Sequence, residues 1–262
     1  MKILSKHWHQ PVDSLKSNQI KTKIIEFLKE DRINQDLTST TTIPQNHKST
    51  YTIEAEENII FAGTPILLDV FSESKVTMLV NDGDQIKKNR NICQITGHTR
   101  TILGRERVAL NLIQRLSGIA TLTNQFVEIV KKSNTPNIKI LDTRKTTPGL
   151  RLFEKYAVRV GGGHNHRLNL SEGILIKDNH IVQHSIKETL IEAKKYKQHK
   201  IEVEVDNLKQ LSIVLPFKPD GVLLDNFTPT EITKAISIIK AHPSNHQIFV
   251  EASGGINQKN IK

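Results

Sequence analysis

The sequence predicts an α/β protein whose second half is built on a parallel sheet or barrel. Three observations predict it. Short β-branched runs recur through that half, at Ile138–Leu141, Ile174–Ile176, Ile201–Val205, Gly221–Leu224 and Ile248–Val250. Helical stretches, including Ser185–Tyr196 and Thr230–Ala241, fall between them, and strands alternating with helices make βαβ units. Each run ends on charged or polar groups: Asp142-Thr143-Arg144-Lys145, Lys177-Asp178-Asn179-His180, Glu204 with Asp206, Asp225-Asn226, and Glu251 with Ser253. In a (β/α) barrel the C-terminal strand ends share one mouth, where active sites sit. Solvated loops also put polar residues at strand ends. It is the mixture of cations and carboxylates at successive ends that points to a site.

The first half has a different texture. Asn18–Leu28 sets Ile20, Ile24, Phe27 and Leu28 on one face of a helix. From Thr50 to Gly97, strand-like runs (Tyr51–Ile53, Val76–Val80, Ile92–Ile95) are separated by turn chemistry such as Asn81-Asp82-Gly83-Asp84, and two of them are expected to frame a hairpin around that turn. Thr64–Ser72 reads as a helix, which makes this half an α+β layer. A long helix is expected from Gly104 to about Lys132, with Val108, Leu112, Leu116 and Ile119 near helical spacing.

Composition narrows the class. The chain has 262 residues, of which 37% are hydrophobic, enough to fill a core and to exclude global disorder. No apolar run has the length of a membrane span. The N-terminal MKILSKHWHQPVDSLK lacks an apolar core and a small-residue cleavage site, so a cytoplasmic protein is expected. One cysteine, Cys93, permits no internal disulfide and no thiolate metal site of its own. The formal charge of +10 admits nucleic-acid binding, a pocket for anionic small molecules, or a lysine-rich surface. Lysines scattered along the whole chain favour the surface. Sparse aromatics and the lack of a recognisable helix-turn-helix, zinc or RNA-recognition signature leave no nucleic-acid partner expected. His164 and His166 form a His-x-His pair, but no Asp, Glu or Cys in metal-like spacing accompanies them.

Long motifs carry a resemblance. They are Leu141-Asp142-Thr143-Arg144-Lys145-Thr146-Thr147-Pro148-Gly149-Leu150-Arg151, Gly161-Gly162-Gly163-His164-Asn165-His166-Arg167, and Ile174-Leu175-Ile176-Lys177-Asp178-Asn179-His180. Glu106-Arg107-Val108-Ala109-Leu110-Asn111 precedes them, and Glu202-Val203-Glu204-Val205-Asp206, Leu223-Leu224-Asp225-Asn226 and Glu251-Ala252-Ser253-Gly254-Gly255-Ile256 follow. In this order they resemble the quinolinate phosphoribosyltransferase family over about residues 30 to 257.

The resemblance implies an N-terminal α/β sandwich domain, residues 1–106, and a C-terminal incomplete, open α/β barrel, residues 107–262. It also implies a homodimer with a shared active site, and a type II phosphoribosyltransferase that joins quinolinate to phosphoribosyl pyrophosphate with Mg²⁺. Nicotinate mononucleotide, pyrophosphate and CO2 are the implied products. Arg107 (from the neighbouring subunit), Arg144, His166, Arg167 and Lys177 would hold the quinolinate carboxylates. Thr143 and Lys145 share the strand-end loop, with Lys145 facing the substrates or the pyrophosphate. Glu204 and Asp225 would take ribose hydroxyls and Mg²⁺, and Ser253-Gly254-Gly255 would cradle a phosphate ahead of a helix N-terminus. Lys145, Glu204 and Asp225 form the expected catalytic set.

These types suit the chemistry. Guanidinium groups bind carboxylates and phosphates bidentately, carboxylates suit hydroxyls and hard cations, and glycines let backbone N–H groups approach an anion. Residue by residue, other readings remain: Arg107, Lys145 and Lys177 as surface charges, Glu204 or Asp225 as an ion-pair partner of Lys177 or Lys145, and His180 as a structural histidine. Only Asn257–Lys262 follow Ile256, so the last barrel strand and closing helix implied by the resemblance are expected to be missing. Two further readings stand beside it: a related phosphoribosyltransferase with another substrate, and an inactive relative that binds anions or dimerises.

Overall fold

A computed structural model describes residues 10–133, 138–182, 184–243 and 248–261. The chain's contacts form two compact units, Pro11–Asn165 and His166–Ile261.

In the first unit, helix α1 (Ser17–Glu30) buries Ile20, Ile24 and Leu28, as its apolar stripe requires. Phe27 packs at the edge of the same core, its ring centroid 6.3 Å from that of Phe153. A short helix, α2 (Leu37–Thr42), begins at Asp36, whose carboxylate accepts the Ser39 N–H at 3.0 Å. Strands β1 (Lys48–Glu54), β3 (Lys75–Met78) and β5 (Asn91–His98) form an antiparallel sheet in the order β1-β5-β3, while β2 (Ile59–Ile60) pairs with β4 (Gln85–Ile86). Helix α3 (Thr64–Val70) matches the expected helix at Thr64–Ser72.

The runs Val76–Val80 and Ile92–Ile95 pair, with Val76 opposite Ile95 and Met78 opposite Cys93. The Asn81–Asp84 turn does not simply close a hairpin between them, because β4 follows it and pairs in the other sheet. Asp82 is the cause. Its Oδ1 accepts the N–H groups of Gly63 and Thr64 at 3.1 and 2.9 Å and the Thr64 hydroxyl at 2.7 Å. That ties the turn to the start of α3.

Helix α4 (Thr99–Lys131) runs straight through the expected domain boundary between residues 106 and 107. At 33 residues it is about 50 Å long. Val108, Ala109, Leu112, Ile113, Leu116 and Ala120 on α4 share one core with Phe153, Tyr156 and Ala157 of α5 (Arg151–Val160). The triple glycine after α5 is a packing device. A Cβ on Gly161 would lie 2.4 Å from the Ala120 carbonyl oxygen, and Gly162 has φ +88°. The expected strand at Ile138–Leu141 is reduced to one parallel bridge, Leu141 with His164, carried by Asp142 N–H to His164 O (3.0 Å) and His164 N–H to Ile140 O (2.8 Å).

The second unit is a four-stranded parallel sheet, β6 (Ile174–Ile176), β7 (Ile201–Val205), β8 (Gly221–Asp225) and β9 (Phe249–Ser253), in sequence order. Helices α6 (Ile186–Ala193), α7 (Leu208–Val214) and α8 (Pro229–Ala241) connect the strands. Ile176, Val203, Val205, Val222 and Leu224 are buried with Leu190, Leu211, Ala235 and Ile239 of the helices. Helices α6 and α8 start in capping boxes, Ser185 with Glu188 and Thr228 with Glu231. Two antiparallel sheets in one unit and an open, helix-covered parallel sheet in the other are the α/β class expected. Among the described residues, no helix is long and apolar enough to cross a membrane.

Candidate active site

Alternation along the parallel strands sends one set of side chains to the helices and the other to the opposite face. Register defines two rows on that opposite face: Leu175, Glu202, Gly221 and Phe249, then Glu204, Leu223 and Glu251. Asp225 and Ser253 pair one step further toward the strand ends. Of the expected residues, His166, Arg167, Lys177, Glu204, Asp225, Ser253, Gly254 and Gly255 belong to this unit.

Lys177 and Glu204 come together, Nζ to Oε2 at 2.5 Å, with the Glu204 side chain 9% exposed. The ion-pair alternative for these two residues is therefore realised. Asp225 Oδ2 accepts the Asn226 side-chain amide at 2.6 Å. Asn226 is left-handed, at φ 55°, and its N–H donates to Ser253 O at 2.9 Å. Gly254, at φ +83°, approaches so closely that a Cβ would stand 2.1 Å from Asn226 Oδ1. The β8 and β9 ends are thereby locked to each other. The expected helix start after Gly255 is a single turn, with Asn260 N–H and Ile261 N–H on Asn257 O. His180 is structural, its Nδ1 accepting the Lys177 N–H at 2.9 Å.

His166 turns to protein groups. Its Nδ1 accepts the Arg167 N–H at 2.8 Å, and its Nε2 lies 3.1 Å from Glu202 Oε2 and 3.6 Å from Glu251 Oε2. Neither Glu202 nor Glu251 has an assigned role in the expected site, although Glu251 is one of the polar groups expected at a strand end. Their apolar-polar alternation with neighbours was the available signal, and it reads equally as a solvated strand face.

The first unit carries Arg107, Thr143, Arg144 and Lys145. Arg107 lies exposed on α4. The loop from Asp142 to Leu150 is braced from outside its cations. Arg115 Nε donates to Glu154 Oε1 at 2.8 Å and its Nη2 to the Thr147 hydroxyl at 2.5 Å, while Arg151 Nε donates to the Thr146 hydroxyl at 3.0 Å. Thr143 Oγ1 accepts the Lys145 N–H at 2.9 Å. Beneath, buried Lys155 pairs with Asp142. Arg144 Nε is buried and has no hydrogen-bond partner among the described residues.

An open parallel sheet that brings acids and cations to successive strand ends is the architecture of an α/β-barrel enzyme acting on anions. Comparison with known proteins makes this specific. The model of the quinolinate phosphoribosyl transferase N-terminal domain matches residues 36–117, and that of the C-terminal domain matches residues 119–262. The chain belongs to the quinolinate phosphoribosyl transferase family. It is 43% identical over 232 residues to a Methanocaldococcus jannaschii protein named "Probable nicotinate-nucleotide pyrophosphorylase (carboxylating)", covering 86% of this chain and 81% of that one. It is 36% identical over 237 residues to the Mycobacterium leprae nicotinate-nucleotide pyrophosphorylase (carboxylating), covering 87% and 82%. The solved nicotinate-nucleotide pyrophosphorylase of Francisella tularensis superposes with a TM-score of 0.87 at 35% identity, covering 96% of this chain and 89% of that one.

Proposed function

We propose that the protein transfers the phosphoribosyl group of phosphoribosyl pyrophosphate to quinolinate with loss of CO2, giving nicotinate mononucleotide and pyrophosphate, as a type II phosphoribosyltransferase. The observation that carries this is Arg144. It stands in the family's longest motif, in a braced loop, with a buried guanidinium nitrogen that no described residue engages. A buried donor left unmade is costly, and an anionic ligand is the natural acceptor.

Arg107, Arg144, Arg167 and Lys177 hold the two carboxylates of quinolinate, Arg107 reaching in from the partner subunit of a homodimer. Thr143 and Lys145 face the substrates or the pyrophosphate. Ser253, Gly254 and Gly255 take the 5′-phosphate, the left-handed glycines turning backbone N–H groups toward it. Glu204 and Asp225 accept ribose hydroxyls, and their oxygen-only donor set suits Mg²⁺, which they would hold. That ion supplies charge neutralisation to the pyrophosphate.

The pyridine nitrogen forms a bond to the anomeric carbon as the bond to pyrophosphate breaks. Glu204 and Asp225 offset the positive character of that carbon, and Lys145 offsets the leaving charge. The alkylated ring is cationic at nitrogen. The bond to the adjacent carboxylate then breaks, CO2 leaves, and the electron pair stays on the ring carbon until a proton from water takes its place.

The test is turnover by the purified protein given quinolinate, phosphoribosyl pyrophosphate and Mg²⁺, with nicotinate as the alternative acceptor. Nicotinate mononucleotide and CO2 in equal amounts are expected, with kcat/KM lowered at least 100-fold in Arg144→Ala. Product from nicotinate alone, or ligand binding without CO2, would overturn the proposal.

A further inference from the structure

The geometry points to Glu202 as a positioning residue that fixes the His166 proton on Nε2 and, through that ring, holds Arg167 in place to meet a carboxylate of quinolinate. This rests on the function proposed above. Every group in the argument lies in the second unit.

The backbone N–H of Arg167 can only donate, and it meets His166 Nδ1 at 2.8 Å. Nδ1 must therefore present its lone pair, and a neutral imidazole then carries its hydrogen on Nε2. That hydrogen faces Glu202 Oε2 at 3.1 Å. Glu251 Oε2, at 3.6 Å, stands beyond hydrogen-bond length and contributes charge. The ligand atoms of His166, Glu202 and Glu251 all lie within 4.8 Å of one another, a spacing that would also suit a metal ion. The tautomer argues against one. A cation on Nε2 would need the lone pair there, which moves the hydrogen to Nδ1 and points it at the Arg167 N–H. The cluster is arranged to hold a proton.

Packing does not account for Glu202. It is 2% exposed, and its Oε1 is buried without a hydrogen-bond partner among the described residues. Its register neighbour Leu175 shows that an apolar side chain suits the same row. A buried carboxylate is unfavourable unless a partner needs it, and His166 is the partner its other oxygen meets. Arg167 inherits the constraint at both ends, since its N–H is on His166 and its Nη1 donates to Gly173 O at 3.2 Å. Without an acceptor at residue 202, the buried Nε2 hydrogen loses its Glu202 partner, which favours a turned ring or the other tautomer, and in either the Arg167 N–H loses its acceptor on Nδ1.

Two substitutions separate this role from bulk stability. Glu202→Gln keeps an oxygen that can accept from Nε2–H, whereas Glu202→Leu keeps the volume and removes the acceptor. Long-range ¹⁵N–¹H spectra of histidine-labelled protein, with the His166 signal assigned by its loss in His166→Asn, are expected to show the Nε2–H tautomer in wild type and Glu202→Gln. In Glu202→Leu that pattern should be lost. KM for quinolinate is expected to rise about 10-fold or more in Glu202→Leu and to stay within about 3-fold in Glu202→Gln, with KM for phosphoribosyl pyrophosphate unchanged in both. An Nδ1–H tautomer in wild type would overturn the inference. So would Zn²⁺ or Mn²⁺ binding at Nε2, or a Glu202→Leu variant with wild-type tautomer and KM. A wild-type protein that shows the Nε2–H tautomer but turns over no quinolinate would instead sink the proposed function.

Discussion

Lys155 offers the sharpest test of how the site loop is held. Its side chain is 1% exposed and its ammonium sits on Asp142, which is 6% exposed. Asp142 also accepts the Asn165 amide at 2.6 Å, and that amide donates to the Lys155 carbonyl at 2.9 Å. Asn165 Oδ1 in turn accepts the Val12 N–H at 2.7 Å. Asp142, at the centre of the circuit, directly precedes Thr143, Arg144 and Lys145 in sequence. Lys155→Met keeps an unbranched chain and removes the charge, leaving the Asp142 carboxylate buried without its ammonium. Removing one partner of a buried pair costs about 3–5 kcal/mol. The surviving 2.6 Å amide bond places this case at the lower end, about 3 kcal/mol. For a chain of this size that lowers Tm by about 6–12 °C. Thermal unfolding followed by circular dichroism would measure it. The double variant Asp142→Asn with Lys155→Met should recover part of the loss, because it leaves a neutral, still hydrogen-bonded site. A single variant melting within about 2 °C of wild type, with no recovery in the double, would refute the idea that this pair is a coupled buried element.

Two further outcomes follow from packing. Gly161→Ala sets a methyl against the Ala120 carbonyl oxygen and Thr123 Cβ, at 2.4 and 2.8 Å, and backbone cannot rotate away. It should cost about 1–3 kcal/mol by denaturant titration, whereas Gly255→Ala, with open space at its Cβ but φ +65°, should lose less. Burial pushes the Cys93 thiol from its ordinary 9.0 up to about 11. At pH 8 iodoacetamide should label it at least about 100-fold more slowly in the native protein than in denaturant, and equal rates would contradict its burial. The folded pKa is the higher one. The protonated thiol's contribution is therefore fully present below pH 9 and lost as pH rises toward 11.

What the sequence made legible, and what it hid, divides along one physical line. Helices with a clean apolar stripe, such as α1 with Ile20, Ile24 and Leu28, were readable because solvent covers their other side. So were β6 to β9, whose helix-facing residues are continuous β-branched and leucine positions. Helix α5 was not, because its buried side includes Glu154 and Lys155 beside Phe153 and Tyr156. Tertiary partners, Arg115 for one and Asp142 for the other, pay for that burial, and no local pattern contains them. The same holds on β7. Ile201-Glu202-Val203-Glu204-Val205 alternates as a half-solvated strand would, yet Glu202 is 2% exposed. A parallel sheet buried on both faces needs apolar residues on both unless the second face serves a ligand. Glu202, Glu204, Asp225 and Glu251 on that second face depart from the packing rule together, on three adjoining strands. Chance departures would be scattered among elements. Their confinement to one face, with Lys177 and His166 already paired to two of them, is what marks that face as the candidate site; the strand ends hinted at it in the sequence, but the shared face is visible only once the register is known.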